Sequence, residues 1–274
     1  MSACLIVTLL AWNEVRQNEI KAAKFAFDAE VKEVHVRINE RLEDYSSILR
    51  GIAGLFAASQ SVKRHEFRDY VEKLHLEQTY PGVQGVGFAR LIPAREKQRM
   101  TAVIRREGYS QFTIRPEGER DPYSAIVYLE PFDWRNQRAF GYDMYSEPIR
   151  RAAMGRARDN DSTAISGKVV LVQETEKEVQ SGFLMYMPIY RNKLPHETLD
   201  ERRNNLVGWV YEPFRMNELM SKGVLGHYLD TVRDHSILKS MMAIARPGKT
   251  SCSIHQLCQM WTTRRARCNF LRSA

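Results

Sequence analysis

The clearest long-range pattern in the chain is an apolar stripe. Phe27, Val31, Val34, Ile38, Leu42, Tyr45, Leu49, Ile52 and Phe56 recur at spacings of three and four. That period puts them on one face of a helix predicted to run from near Glu14 to Ala58. At 1.5 Å per residue the rod would reach about 65 Å, more than a compact core of this size needs. A helix leaving a bilayer and packing against its own domain and a partner helix accounts for it. Gly51 and Gly54 keep a second reading open, two helices broken there. Ahead of the stripe, an apolar run reaching Trp12 stops abruptly at Asn13 and Glu14. It has about half of the roughly 20 residues a membrane span needs, and it lacks the charged leader and cleavage site of a secretory signal. It reads as the closing half of a transmembrane helix or as a buried first turn, and Trp12 at the polar boundary favours the former.

The pattern then changes. Ser61 is a candidate cap for a second helix carrying Phe67, Tyr70, Val71 and Leu74, which should stop before Tyr80-Pro81-Gly82. Val83 to Ile92 alternates as a strand, with glycines that suggest a bulge or a close backbone approach. Pro93 suits the first turn of a helix toward Arg106, closed by Gly108. Short strands are predicted at Phe112 to Arg115, Ala125 to Leu129, Ala164 to Val172, Phe183 to Tyr190 and Leu206 to Tyr211. A helix from Pro148 to Arg158 separates two of these, and Pro213 is read as opening another with Phe214, Leu219 and Met220. Long helices followed by strands with single helices between them predict an α+β fold with an antiparallel sheet, not a βαβ repeat.

Charge and cysteine change this picture only at the C-terminus. The formal net charge is +8 over 274 residues, but seven positive charges and no acid fall between Ser236 and Ala274. The body is close to neutral, which argues against a nucleic-acid-binding role on charge grounds. Cys4 lies in the opening run and Cys252, Cys258 and Cys268 lie in the tail, so the body offers neither a cysteine nucleophile nor a disulfide framework. Cys252, His255, Cys258 and Cys268 lack the paired short spacing of structural zinc sites. No GxGxxG, GxxxxGK[ST] or HExxH occurs. Glu130, Asp133 and Asp143 make a carboxylate mechanism only if two of them face one scissile bond. An enzyme is not the expectation, and no cofactor or metal is called for.

Four segments in order have a family likeness: Tyr80-Pro81-Gly82-Val83-Gln84-Gly85-Val86-Gly87-Phe88-Ala89, Ala139-Phe140-Gly141-Tyr142-Asp143-Met144-Tyr145-Ser146-Glu147, Ile165-Ser166-Gly167-Lys168-Val169-Val170-Leu171, and Gly182-Phe183-Leu184-Met185-Tyr186-Met187-Pro188-Ile189-Tyr190. They resemble successive motifs of the CHASE domain, the extracytoplasmic sensory module of transmembrane histidine kinases, nucleotide cyclases, diguanylate cyclases and phosphodiesterases. The resemblance runs from about Phe56 to Leu219. It implies a long N-terminal helix followed by a PAS-like antiparallel sheet module that binds ligand, held between membrane helices, and no catalysis. After about Gly226 the chain departs from the family, and the membrane-proximal part is expected to be incomplete and without an output domain. The implied organisation is 1–12 the end of a membrane helix or an incomplete signal anchor, 13–58 a signalling helix, 59–226 the sensory domain and 227–274 an atypical basic tail.

Six residues are candidate ligand contacts. Tyr123 and Tyr128 bracket an alternating segment where aromatics stack on a planar ligand or simply fill the sheet core. Asp143 accepts a ligand N–H or, the stronger reading, anchors a backbone turn or Arg151. Ser166 and Gly167 occupy a strand resembling the one that supplies small and hydroxylic pocket residues in cytokinin-binding relatives, and Tyr186 lies in the last family-like segment. The implied function is sensing of an unknown small molecule by a membrane-associated homodimer joined through the N-terminal helix, its sensory domain extracytoplasmic and periplasmic if bacterial. The alternative is a receptor module that positions or dimerises without binding ligand.

Overall fold

The computed structural model describes residues 2–173 and 181–224. Two compact units divide the chain, Met1–Tyr45 and Ser46–Ala274. The first helix, α1 (Ser2–Ala58), is unbroken. It begins earlier than the apolar stripe required and passes through both glycines. Gly51 is there for packing: a Cβ at that position would lie 2.6 Å from the Tyr70 hydroxyl. Within the first unit Leu10, Trp12, Val15, Ile20, Phe25 and Phe27 are exposed, and Arg37 pairs with Glu33 one turn away at 2.8 Å. Among the described residues no helix is long and apolar enough to cross a membrane. The basic tail from 227, with Cys252, His255, Cys258 and Cys268, lies outside the described residues.

In the second unit come α2 (Arg64–Lys73), a short α3 (Leu76–Thr79), strand β1 (Val86–Ile92), a 3-10 turn (Ala94–Glu96) running into α4 (Lys97–Arg106), and β2 (Tyr123–Glu130). Two further 3-10 turns lead to α5 (Pro148–Asn160), followed by β3 (Ala164–Ile165), β4 (Val169–Val170), β5 (Ser181–Tyr190), α6 (Leu199–Asn205), β6 (Leu206–Arg215) and α7 (Met216–Glu218). All strand pairings are antiparallel. The order is β2-β1-β6-β5-β3, with β4 also on β5. Taken as one interrupted edge strand, β3 and β4 make this the PAS-like α+β sheet that the sequence implied.

Five local expectations are corrected. Ser61 does not cap α2; the Lys63 N–H is held instead by the Glu66 carboxylate at 2.7 Å, a residue reaching back from the first turn. Phe112 to Arg115 makes only a single bridge, Arg115 with Tyr142. Ala164 to Val172 breaks into β3 and β4, because the Ser166 hydroxyl accepts the Leu184 N–H at 2.9 Å and turns the chain. Pro213 and Phe214 belong to β6 and not to a helix. Pro213 pairs with Leu184 on one side and its carbonyl accepts the Gln84 N–H on the other, beyond the end of the β1 ladder, where a missing N–H is tolerated. Strand β1 starts at Val86, and Val83 contributes one bridge, to Phe214.

Both faces of the sheet are covered. On one, Phe56 of α1 lies 4.7 Å from Phe88, and Tyr128 lies 6.0 Å from Phe88 and 5.4 Å from Phe67 of α2, centroid to centroid. On the other, Ala153, Met154 and Ala157 of α5 pack over Leu184, Tyr186, Trp209 and Tyr211. Each fully buried side chain of this size contributes about 1.5–3 kcal/mol. The Trp209 indole N–H donates to the Met154 carbonyl at 3.0 Å and fixes α5 against β6.

Glu212 is the polar exception on the first face. It lies opposite Met185, between Val210 and Phe214 along β6, with no accessible surface and no partner for either carboxylate oxygen. Desolvation alone raises its pKa well above the ordinary carboxylate range. The folded chain therefore keeps a proton that the unfolded chain releases above about pH 4.5. The associated stability is present below that pH and falls as pH rises toward the folded pKa. Glu212→Gln, which mimics the neutral form, should show a flatter dependence of the urea midpoint on pH between about 5 and 8 than the wild type. Parallel curves would mean that Glu212 does not titrate in this way.

Candidate ligand site under helix α5

The six predicted residues do not form one cluster. Tyr123 is tied at the edge of β2: its hydroxyl donates to the Gly118 carbonyl at 3.0 Å and accepts the Arg120 N–H at 3.1 Å. Tyr128 donates to the Val62 carbonyl at 2.9 Å, and its ring stacks with the Arg64 guanidinium, 4.8 Å from the centroid. It lies on the Phe88 face. Tyr186 points the other way, into the α5 layer, so the sheet itself separates Tyr128 from Tyr186.

Asp143 has no exposed surface. Its carboxylate accepts the Ser124 N–H and the Arg120 Nε–H, each at 2.7 Å, and the Tyr145 N–H at 3.1 Å. Arg120, and not Arg151, is its cation. Gly141, at φ +82°, makes the turn that brings it there, with the Thr113 carbonyl where a side chain would stand. The other two carboxylates of the possible acid pair are also engaged. Glu130 accepts the Phe132 N–H and pairs with Arg68, and Asp133 accepts the N–H groups of Arg135 and Asn136. Ser166 donates to the Gly167 carbonyl at 2.8 Å while accepting from Leu184. Gly167 is exposed beside Ile149 of α5, whose Cγ2 would be 3.1 Å from a Cβ.

Beneath α5 the structure assembles residues that sequence reasoning missed. Arg150 is 3% exposed. Its Nη1 donates to the Tyr142 hydroxyl and its Nη2 to the Val170 carbonyl, both at 2.8 Å, with the guanidinium 5.0 Å from the centre of the Tyr142 ring. Tyr186 and Tyr211 are fully buried with ring centres 6.2 Å apart. Desolvation holds both phenols well above the ordinary tyrosine range, so they remain O–H donors. Met144, Met154 and Trp209 make the apolar surroundings. A signal for Arg150 exists in the sequence: it shares the i, i+3, i+4, i+7 face with Ala153, Met154 and Ala157, a charge on the inward side of the helix. Two shallow depressions along α4, lined in part by Lys97, Thr101 and Arg105, are open to solvent and include none of the six predicted residues.

The six-stranded antiparallel sheet with helices on both faces, and with a polar cluster inside the α5 layer, has a PAS-like α+β arrangement. The sequence profile of the CHASE domain matches residues 60–243, and the chain belongs to the CHASE domain family. It is at that level an extracytoplasmic sensing domain of a membrane receptor. Among solved structures, the periplasmic sensory domain of the Campylobacter jejuni chemoreceptor Tlp1 aligns with a TM-score of 0.43 and 11% identity. That alignment covers 74% of this chain and 62% of the other, less than two thirds of its length. No curated protein matches the sequence.

The Asp143 geometry yields a stability prediction. Asp143→Ala strands the Arg120 charge and two N–H groups, and should cost about 3 kcal/mol in urea unfolding. Arg120→Ala combined with it should cost clearly less than the two single changes added. Additive costs, or a loss under about 1 kcal/mol for Asp143→Ala, would show that this tie does not hold the segment.

Proposed function

We propose that this chain senses a small molecule bound between the sheet and α5, with binding shifting the balance of two arrangements of the helices that flank the sheet. Such a ligand must favour one arrangement in free energy, since equal affinity for both transmits nothing. The observation that supports this reading best is the layer beneath α5, where Tyr142, Arg150, Tyr186 and Tyr211 stand among apolar side chains in a chain of a sensory family. On the opposite face, Phe56 of α1 touches Phe88 of β1, a packed route from the sheet to the helix that precedes it. The second reading, a module that positions or dimerises a receptor without ligand, is favoured by how completely Met144, Tyr186 and Trp209 fill the layer. Among the six residues singled out in the sequence, Asp143 and Ser166 are supported as holders of the fold more than as ligand contacts.

Thermal unfolding of the full chain in the presence of adenine derivatives, aromatic metabolites, amino acids and small carboxylates separates the two readings. A sensing domain gives a saturable rise in Tm with one class, equivalent to about 2.7 kcal/mol at a hundredfold excess over Kd. A cooperative transition unmoved by every class favours the structural module.

We also propose that α1 pairs with the α1 of a second copy. Val15, Ile20, Phe25, Phe27 and Val36 are exposed along a single helix that continues into the three-four apolar stripe. Light scattering of the solubilised full chain should give a dimer that Phe27→Asp weakens. A monomer over a wide concentration range counts against the pairing.

A further inference from the structure

We infer that Arg150 anchors an anion-binding subsite and that the molecule sensed carries a carboxylate group. This rests on the sensing role proposed above and specifies its ligand class. The guanidinium is almost fully buried, and its Nε has no partner. Its two hydrogen bonds go to neutral oxygens, the Tyr142 hydroxyl and the Val170 carbonyl, and among the described residues no carboxylate pairs with it. Glu147, at the start of α5, is occupied: its oxygens accept the N–H groups of Ile149 and Arg150 at 2.9 and 2.8 Å. A guanidinium cannot shed its proton, and a buried charge without a counter-ion is held at a cost. The face of the Tyr142 ring offsets part of that cost.

The neighbouring phenols extend the same chemistry. The Tyr211 hydroxyl is buried without a partner, and the Tyr186 hydroxyl reaches only the weak acceptor Met144 Sδ, at 3.8 Å. Arg150 shares the buried face of α5 with Ala153, Met154 and Ala157, which pack in one cluster with both phenols. Tyr211 is held in place by its neighbour across the ladder: Gly87 has no side chain, and a Cβ there would collide with the Tyr211 ring. The cluster thus offers a free N–H on a cation and two O–H groups without a strong acceptor. A carboxylate completes it, because charge-assisted bonds from a guanidinium and phenols satisfy its oxygens, and an apolar remainder enters where Met144, Met154 and Trp209 give way to it. Inorganic anions lack that remainder.

The test compares each acid with its uncharged amide on the full chain, by thermal shift and calorimetry: acetate with acetamide, benzoate with benzamide, glycine with glycinamide, and inorganic phosphate as the control without a carbon chain. Expected is saturable binding of at least one acid, with its amide at least about tenfold weaker. Arg150→Met should weaken the acid by about 10- to 100-fold, and Tyr211→Phe, which keeps the ring and removes only the unpaired hydroxyl, by about fivefold. If Arg150→Met does not fold, Tyr211→Phe decides. A ligand bound equally well as acid and amide, or with the same affinity in both variants, overturns the anion assignment while sensing stands. Phosphate binding as tightly as any acid overturns the carboxylate. No saturable shift with any acid, amide, adenine derivative or aromatic metabolite removes the sensing role, and this inference with it.

Discussion

The buried carboxylate of Asp143 ties two stretches that have no regular pairing of their own to strand β2. Between α4 and β2, and again between β2 and α5, the chain runs through turns with only isolated bridges. Asp143 reaches across both connections, to Arg120 before β2 and to the backbone of Ser124 within it, and it also receives the N–H of Tyr145 ahead of α5. Its own N–H goes to the Arg115 carbonyl. Both carboxylate oxygens are met by donors, which is what permits an acid at a position with no solvent. The consequence reaches beyond the turn. From Asp143 the chain passes through a single 3-10 turn to the Glu147 cap of α5, so the carboxylate sets where α5 begins and which of its faces meets the sheet.

Helices on both faces of the sheet impose a second condition. A strand with one wet face can turn its polar side chains outward, but β5 and β6 bury nearly every residue. Polar groups on these strands must then bond internally, stay neutral, or wait for a partner. The hydroxyl of Tyr190 takes the first course, donating to the Arg158 carbonyl at 2.8 Å at the end of α5. Glu212 takes the second and Tyr211 the third. The same two-sided burial separates functions in space. One face meets α1 and α2 through aromatic contacts, and the other holds the polar cluster under α5.

This burial also explains what the sequence revealed. The helix of the apolar stripe, the helix after Pro148 and the strands around Phe183 and Leu206 were legible because length and period distinguish them. Pro213 misled because proline more often opens a helix than ends the interior of a strand, and only the shortness of β1 beside it makes room. Ser166 reads in the sequence as a pocket hydroxyl, and in the structure its hydroxyl takes a ladder N–H, from Leu184. For the site, alternation was the missing signal. Strands buried on both sides read as continuous apolar runs, so nothing in the residues told that Tyr128 and Tyr186 face opposite layers. The inward face of α5 did retain a readable period, and on it Arg150 stands out against Ala153, Met154 and Ala157. The family-like segments include Tyr142 and Tyr186, but a likeness cannot assign a direction to a side chain.

Glu212 and Arg150 show why two buried ionisable groups on opposite sides of one sheet carry different information. A carboxylate in a dry site has an escape. It takes up a proton, loses its charge and becomes a moderately polar group, so the absence of a partner around Glu212 implies nothing more than a raised pKa. A guanidinium has no such escape at any pH the protein meets. It stays charged, and the surroundings must supply the compensation. Around Arg150 they supply a ring face, a phenol and a carbonyl, all neutral. Residual positive potential, enclosed in a layer whose other unused groups are O–H donors, selects for an anion with oxygen acceptors. Binding one would then tighten the contact between α5 and the sheet. In a domain whose opposite face packs against Phe56 of α1, the sheet is the element that both layers share.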